Sequence, residues 1–163
     1  MINHSDINPA NLPIFKKGIE IYETVDHICE LFPEDNIALQ AIEENIMEDA
    51  STLFVKIAGA QDAPYDLRME AATLIRKSAN NLMVQNHALG LFGFKDVEYF
   101  KIVRDLIEEY RLLFIDWVAS FDPWDYVIDR WGLFNPPGVG PFDKDPDDDI
   151  PFDPKDFFEE DTD

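Results

Sequence analysis

The sequence predicts an all-α protein: an antiparallel, up-down-up-down four-helix bundle followed by an acidic C-terminal extension rich in Pro, Asp and Phe. Three observations support this prediction. Apolar residues recur every three or four positions across residues 13–120, which is the period of an amphipathic helix. This range divides into four long stretches joined by short turns, as in antiparallel bundles. No stretch alternates apolar and polar residues for long enough to predict a sheet.

The first two helices are defined by their apolar stripes and by the residues that end them. The first runs from Pro13 to Phe32 and stops at Pro33, because proline disfavours helical geometry in the residue before it. Glu34-Asp35-Asn36 supplies the N-cap of the second helix, which ends at Gly59. The stripe of the first helix is Ile14, Ile21, Val25, Ile28 and Phe32. The stripe of the second is Leu39, Ile42, Ile46, Ala50, Leu53 and Ile57.

The third and fourth helices have the same three-and-four spacing. We expect Asp62 to cap the third helix, with Pro64 in its first turn and Gly90 and Gly93 at its end. Asp96 is expected to cap the fourth helix. The stripe of the third helix is Ala72, Ile75, Ala79, Leu82, Asn86 and Leu89. The stripe of the fourth is Phe100, Val103, Ile107, Tyr110, Phe114, Trp117 and Phe121.

Composition divides the rest of the chain. Residues 1–12 form an N-terminal arm, and residues 13–120 form the bundle. Residues 121–137, called the cap segment below, are rich in aromatic side chains; we expect them to fold back on the bundle as a short fifth helix or a cap, or to pack on a neighbouring subunit. Residues 138–163, called the acidic tail below, combine Pro and Asp and therefore disfavour helix.

The charge of −21 excludes some classes of function. Residues 1–120 hold 20 acidic and 10 basic residues, whereas residues 121–163 hold 14 acidic and 3 basic ones. Phosphate backbones and anionic lipids would be repelled, so direct nucleic-acid or membrane binding is not expected. No secretory signal or apolar stretch of about 20 residues is present. With a single cysteine, Cys29, a cytoplasmic location is expected.

Several short motifs carry a family resemblance over about residues 12–120. They are Phe15-Lys16-Lys17, Glu20-Ile21, Leu31-Phe32-Pro33, Ile57-Ala58-Gly59 and Leu89-Gly90-Leu91-Phe92. With these motifs the chain resembles the small four-helix-bundle proteins encoded in intervening sequences of bacterial large-subunit ribosomal RNA genes, a family that includes the accessory protein of diversity-generating retroelements. The resemblance implies a bacterial, non-enzymatic accessory bundle that forms homo-oligomers, with pentameric rings in some relatives. Members that engage nucleic acid or a reverse transcriptase are basic, whereas this chain is acidic.

No convergent catalytic or metal-binding set is evident in the sequence, so we predict no cofactor and no enzymatic activity. Glu23 and His27 stand four residues apart, but a di-iron bundle needs Glu-x-x-His pairs on two helices. His87 has no acid at helical spacing to orient it as a general base. Cys29 lies in an apolar stripe and has no flanking base. Glu43, Glu44 and Glu48 form a solvated face without a matching histidine.

Polar residues in the third helix are a candidate interface. The family usually has glutamates in the middle of this helix, where Asn80-Asn81 and Gln85-Asn86 stand here. Amides in a helix seam are costly unless they are paired. Three interpretations of Asn81 and Asn86 follow. They form a buried pair that sets the helix register, they are simply exposed to solvent, or they form a polar patch at a subunit interface. Trp124 and Trp131 of the cap segment are further interface candidates.

The acidic tail repeats an aromatic-carboxylate-proline unit. Exposed aromatic residues invite aggregation, so a purely solubilising tail does not need them. Acids steer a basic partner and apolar anchors hold it. The predicted partner-binding residues are Phe142, Asp143, Phe152, Asp153, Phe157 and Phe158. Asp143–Ile150 also resembles a calcium loop, but it lacks the glycine at position 6 and the glutamate at position 12.

Three functional hypotheses follow. The first is a non-enzymatic, oligomerising interaction protein whose tail engages a basic groove on a protein partner. The alternative is an acidic nucleic-acid mimic that inhibits a DNA- or RNA-binding protein. A bundle metalloenzyme is the third, and it requires stoichiometric metal.

Overall fold

The computed structural model describes residues 7–149, which contain four long helices. These are α1 (Pro13–Cys29), α2 (Ile37–Gly59), α3 (Tyr65–Leu91) and α4 (Phe100–Ala119). Three short 3₁₀ helices lie at Pro9–Asn11, Val97–Tyr99 and Pro146–Asp149. No strand occurs among the described residues. The predicted all-α four-helix fold is therefore confirmed.

The four helices pack in the order in which they occur along the chain. α1 packs against α2 and α4, and α3 packs against the same two helices. Connections of five to eight residues join consecutive helices, and such short connections place neighbours antiparallel. The N-terminus of α3 and the C-terminus of α4 consequently share one end of the bundle.

The predicted apolar stripes form the core. All five stripe residues of the first helix are buried, as are most of those on the other three. Several side chains have at most 1% of their surface accessible, and these residues come from all four helices: Ile21, Leu39, Ile46, Leu53, Ile75, Leu82 and Tyr110. Local periodicity was sufficient to identify them because burial in a bundle follows helical phase.

Two predicted helix boundaries are confirmed by their hydrogen bonds. Asn36 caps α2, since its side-chain oxygen accepts from the N–H of Leu39 at 3.1 Å. Gly93 ends the α3 region with a φ of 95°, and the N–H of Phe94 donates to the carbonyl of Leu89 at 2.9 Å. This pattern is a Schellman motif, in which glycine tolerates the left-handed conformation.

Two predicted side-chain caps are wrong. α3 begins at Tyr65 after Pro64, and no side chain caps it; Asp62 lies outside the helix. The N–H of Tyr65 instead donates to the carbonyl of Asp125 at 2.6 Å. Asp96 begins a 3₁₀ turn without a side-chain hydrogen bond, and α4 starts four residues later at Phe100. At the start of α3, a backbone carbonyl therefore replaces the expected side-chain cap.

Three helices meet at the carbonyl group of Leu53 in α2. The hydroxyl of Tyr110 in α4 donates a buried hydrogen bond of 2.7 Å to this oxygen. On the α1 side, a Cβ added at Gly18 would lie 2.8 Å from the same oxygen and 3.0 Å from the Cβ of Phe54. The absent side chain thus permits close approach of α1 and α2.

Substituting Gly18→Ala is expected to destabilise the bundle by about 1–3 kcal/mol, because the new methyl group would collide with the backbone of α2. The free energy of unfolding, measured by urea denaturation with far-UV circular dichroism, checks this prediction. Gly59→Ala is the matched control, since a Cβ there meets nothing within 4 Å and alanine favours helix. An equal loss of stability in both variants would contradict steric contact at Gly18.

Substituting Tyr110→Phe is expected to cost about 1 kcal/mol at neutral pH through loss of a buried hydrogen bond. Burial raises the pKa of the Tyr110 hydroxyl. Above the unfolded-state value of about 10, only the unfolded chain releases this proton, so wild-type stability falls as pH rises. The phenylalanine variant should show a shallower decline in unfolding free energy.

The control for this alkaline titration is Tyr99→Phe, which removes an exposed hydroxyl. Urea denaturation at several pH values above neutrality gives the slope for each protein. If Tyr99→Phe and Tyr110→Phe change the slope equally, the burial of the Tyr110 hydroxyl is not its cause.

Candidate functional site

The cap segment crosses the end of the bundle formed by the start of α3 and the end of α4. It contains no helix, and Phe121 and Ile128 anchor it through buried side chains. The ring of Phe121 meets that of Trp117 edge-on, with centroids 4.7 Å apart. The guanidinium group of Arg68 lies 5.7 Å from the centroid of the Phe121 ring. These contacts attach the segment to α3 and α4.

The carboxylate of Asp129 organises the centre of the cap segment. It accepts from the N–H groups of Trp131 at 2.9 Å, Leu133 at 2.8 Å and Phe134 at 2.9 Å. These backbone bonds, chiefly that from Phe134, lower the pKa of Asp129. Asn135 adds a reciprocal pair, since it donates to the carbonyl of Asp129 and accepts from its N–H. The loop backbone is thereby fixed by several hydrogen bonds.

Arg130 attaches the first residues of the acidic tail to the cap segment. Its Nη1 donates to the carbonyl oxygens of Pro141 at 3.1 Å and Asp143 at 2.8 Å. The predicted partner-binding residue Asp143 also accepts from the N–H of Gly140 at 2.7 Å. Its carboxylate therefore closes a local turn, and the neighbouring Phe142 is left projecting from a fixed backbone.

Three predicted contact residues are almost fully exposed. Trp124, Trp131 and Phe142 have 84%, 91% and 96% of their surface accessible. Aromatic side chains this exposed offer a large apolar area that a binding partner can cover. The cap segment and the start of the tail thus form an aromatic surface. Its backbone is held by Asp129 and Arg130 around Trp131 and Phe142, and by Asp122, which accepts from the N–H of Trp124 at 2.9 Å.

Two clefts adjoin this aromatic surface. One, of about 340 Å³, is mainly apolar and lies beside Trp124. Its walls include Tyr65, Val118, Tyr126, Pro136 and Val139. The other, of about 560 Å³, lies beside Trp131 and Leu133 and is bordered by the carboxylates of Asp66 and Glu70. One cleft therefore offers an apolar lining and the other adds negative charge.

The amides predicted as interface residues lie elsewhere, in the middle of α3. Asn81 donates to the carboxylate of Asp49 in α2 at 3.2 Å and lines a cleft of about 600 Å³ between these helices. Asn86 is partly buried, and its side-chain oxygen has no hydrogen-bond partner. Neither amide joins the aromatic surface. Asn81 borders an open cleft, whereas Asn86 lies on the packed side of the helix.

The remaining predicted candidates are distributed as follows. Phe152, Asp153, Phe157 and Phe158 lie outside the described residues. The proposed calcium loop is described only to Asp149, and among residues 7–149 no three His, Cys, Asp or Glu side chains are grouped to hold a metal ion. The Cys29 thiol is buried; burial, assisted by Glu43 and Asp26, raises its pKa to about 12. The thiol is therefore protonated at neutral pH.

Sequence reasoning missed Asp129 and Arg130, the residues that shape the aromatic surface. A local signal was present, because aspartate at the first and glycine at the fourth position of Asp129-Arg130-Trp131-Gly132 is typical of a β-turn. The structure has this turn, with the N–H of Gly132 donating to the carbonyl of Asp129 at 3.0 Å. The two contacts of Arg130 with the tail had no comparable local signature.

The fold and site thus define a helical bundle with an aromatic, acidic surface at one end. Comparisons with protein-family models, curated proteins and solved structures find no match to this chain. The resemblance to the intervening-sequence proteins consequently stays a prediction. No helix within the described part of the chain has the length and apolarity required to cross a membrane.

Substituting Asp129→Asn is expected to loosen the cap segment, since the amide nitrogen cannot accept the hydrogen bonds made by a carboxylate oxygen. The amides of Trp131, Leu133 and Phe134 should exchange hydrogen several-fold faster, as measured by NMR at neutral pH. In the wild-type protein, the same loosening should appear when the pH falls below 3.8, the ordinary pKa of this carboxyl group. The backbone hydrogen bonds favour the ionised carboxylate, so its protonation weakens them.

The control for this experiment is Asp116→Asn, an exposed carboxylate on α4. It should leave amide exchange in the cap segment unchanged. Equal protection of the three amides in wild type and Asp129→Asn would show that the carboxylate does not hold the loop.

Proposed function

We propose that the protein is a cytoplasmic, non-enzymatic accessory bundle that binds a basic protein partner through its acidic, Phe-Asp-Pro-containing tail and the adjoining aromatic surface. The observation that carries the proposal is the near-complete exposure of Trp124, Trp131 and Phe142 on a hydrogen-bonded backbone. Homo-oligomer formation, implied by the family resemblance, is part of the proposed function.

The energetics of the aromatic surface support partner binding. A tryptophan or phenylalanine buries about 150–250 Å² when it is covered, and aromatic anchors commonly dominate the free energy of protein association. Here Trp131 and Phe142 stand on backbone that Asp129 and Arg130 already hold, and Asp122 binds the N–H of Trp124. Binding to a preordered loop loses less conformational entropy than binding to a free one.

The distribution of charge favours a basic partner. Residues 121–163 hold 14 acidic and 3 basic residues, and Asp66 and Glu70 border the cleft beside Trp131. Complementary positive charge on a partner would accelerate encounter and suppress binding of acidic proteins. The aromatic residues would then determine how long the complex persists.

Affinity capture from native lysate, read by mass spectrometry, tests this function. Full-length protein is compared with a chain lacking residues 138–163 and with the double variant Trp124→Ala, Trp131→Ala. We expect both changes to weaken binding of the captured partner by tenfold or more, since each removes anchors worth about 1–2 kcal/mol. Tyr99→Ala, an exposed aromatic at the other end of α4, should bind as wild type does.

The result that contradicts the proposal is capture that neither the truncation nor the double variant reduces.

Salt dependence and competition by nucleic acid distinguish this function from the alternative, an acidic nucleic-acid mimic. Binding anchored by aromatic residues should persist at high salt and tolerate excess nucleic acid, because apolar burial is not screened. Binding that is lost at high salt and displaced by the partner's nucleic acid would favour the mimic.

A further inference from the structure

α3 carries a second stripe on the side away from the core. Six positions define it: Leu67, Leu74, Lys77, Asn81, Val84 and Leu91. The four apolar members are exposed, with accessible fractions of 49%, 38%, 61% and 82% for Leu67, Leu74, Val84 and Leu91. Steps of three, four and seven residues keep all six on one helical face. Glu70, which is exposed and lies between Leu67 and Leu74, is on the same face. A helix of the folded bundle thus retains an uncovered seam that is mainly apolar.

The spacing of this stripe is the same in both directions along the helix. Consecutive members are separated by 7, 3, 4, 3 and 7 residues. Two copies of α3 running antiparallel about their midpoint would therefore place Leu67 opposite Leu91, Leu74 opposite Val84, and Lys77 opposite Asn81. Self-complementarity of this kind is what a two-fold interface between identical subunits requires.

The charges beside the stripe also favour a second copy. The 600 Å³ cleft between α2 and α3 is bordered by two acids, Glu48 and Asp49, and two lysines, Lys56 and Lys77, so it is formally neutral in a chain of charge −21. Glu70, between Leu67 and Leu74, adds one negative charge to the seam. The face is therefore close to neutral, and repulsion between two copies is small there. Asn81 binds the carboxylate of Asp49 at 3.2 Å, and antiparallel pairing brings Lys77 of one copy towards that carboxylate in the other.

The dimensions of the face match those of a stable dimer. From Leu67 to Leu91 the helix extends about 36 Å at 1.5 Å per residue. Neighbouring helices lie about 10 Å apart, so α2 and α3 together present a face on the order of 700 Å². Stable complexes bury about 800 Å² on each partner.

We propose that two copies of this chain associate through the α2–α3 face, with their α3 helices antiparallel and crossing near residue 79. The inference rests on the self-association included in the proposed function and assigns a surface to it. Leu67, at one end of the proposed seam, also lines the cleft beside Trp131, so that cleft borders the dimer interface. The apolar cleft beside Trp124 contains no seam residue and stays uncovered. Each dimer would then present two copies of the Trp124 cleft to partners.

The oligomeric state of surface variants tests the proposed face. Light scattering with size exclusion should give twice the chain mass of 18.8 kDa for the full-length wild-type protein. Val84→Glu should raise the dimer dissociation constant at least about tenfold, because two-fold symmetry buries the introduced charge twice. Leu112→Glu on α4, at a similarly exposed apolar position, should remain dimeric, and circular dichroism should show equal helicity for all three proteins.

Disulfide trapping tests the antiparallel register. A copy carrying Leu74→Cys mixed with a copy carrying Val84→Cys should cross-link on oxidation, whereas Leu74→Cys alone should not. Residue 74 and its symmetry mate lie about 15 Å apart in the proposed register, beyond disulfide reach. The native Cys29 is buried and should not react in either sample.

Each contrary outcome has a distinct meaning. A monomeric wild-type protein overturns this inference and the self-association in the proposed function. A dimer that Val84→Glu leaves intact overturns the α3 face alone, and cross-linking of Leu74→Cys with itself overturns the antiparallel pairing. Partner capture by the tail and aromatic surface is measured separately, so its failure is not confused with any of these results.

Discussion

The carbonyl oxygen of Leu53 is the contact on which the arrangement of the bundle depends. Gly18 allows α1 to approach this group, and the Tyr110 hydroxyl binds it from α4. Apolar stripes alone tolerate sliding and rotation, since hydrophobic contact is non-directional. A buried hydrogen bond and a steric limit at one atom add direction. The relative positions of three helices, and hence of the bundle end that carries the aromatic surface, are set there.

The aromatic surface depends on a different kind of order, in which polar groups hold an irregular backbone. Asp129 and Arg130 satisfy backbone donors and acceptors that a helix or sheet would otherwise pair. Exposed aromatic residues can then project from the loop without being drawn into the core. The cap segment is anchored to the bundle by the buried side chains of Phe121 and Ile128, and the same segment presents the exposed aromatic residues to solvent.

The sequence was sufficient to predict the helices and most of the core, because burial in a bundle follows a local period. It was insufficient for the start of α3, where the partner of the Tyr65 N–H is the carbonyl of Asp125, 60 residues away. For Trp124 and Trp131, the sequence left two alternatives open: packing on the bundle, or a surface position available to a neighbouring subunit. Composition does not determine which side chains of an aromatic segment face the bundle. The roles of Asp129 and Arg130 arise from folded geometry.

The bond between Tyr65 and Asp125 also has a consequence for the order of folding. During synthesis the start of α3 emerges well before residue 125, so the Tyr65 N–H lacks this backbone partner until Asp125 has been made. This bond then pairs the first N–H of α3 and joins the cap segment to the end of the bundle. Any force or ligand that lifts the cap segment would release the first N–H of α3. The cap segment thus serves as the N-terminal cap of α3 as well as carrying the aromatic surface.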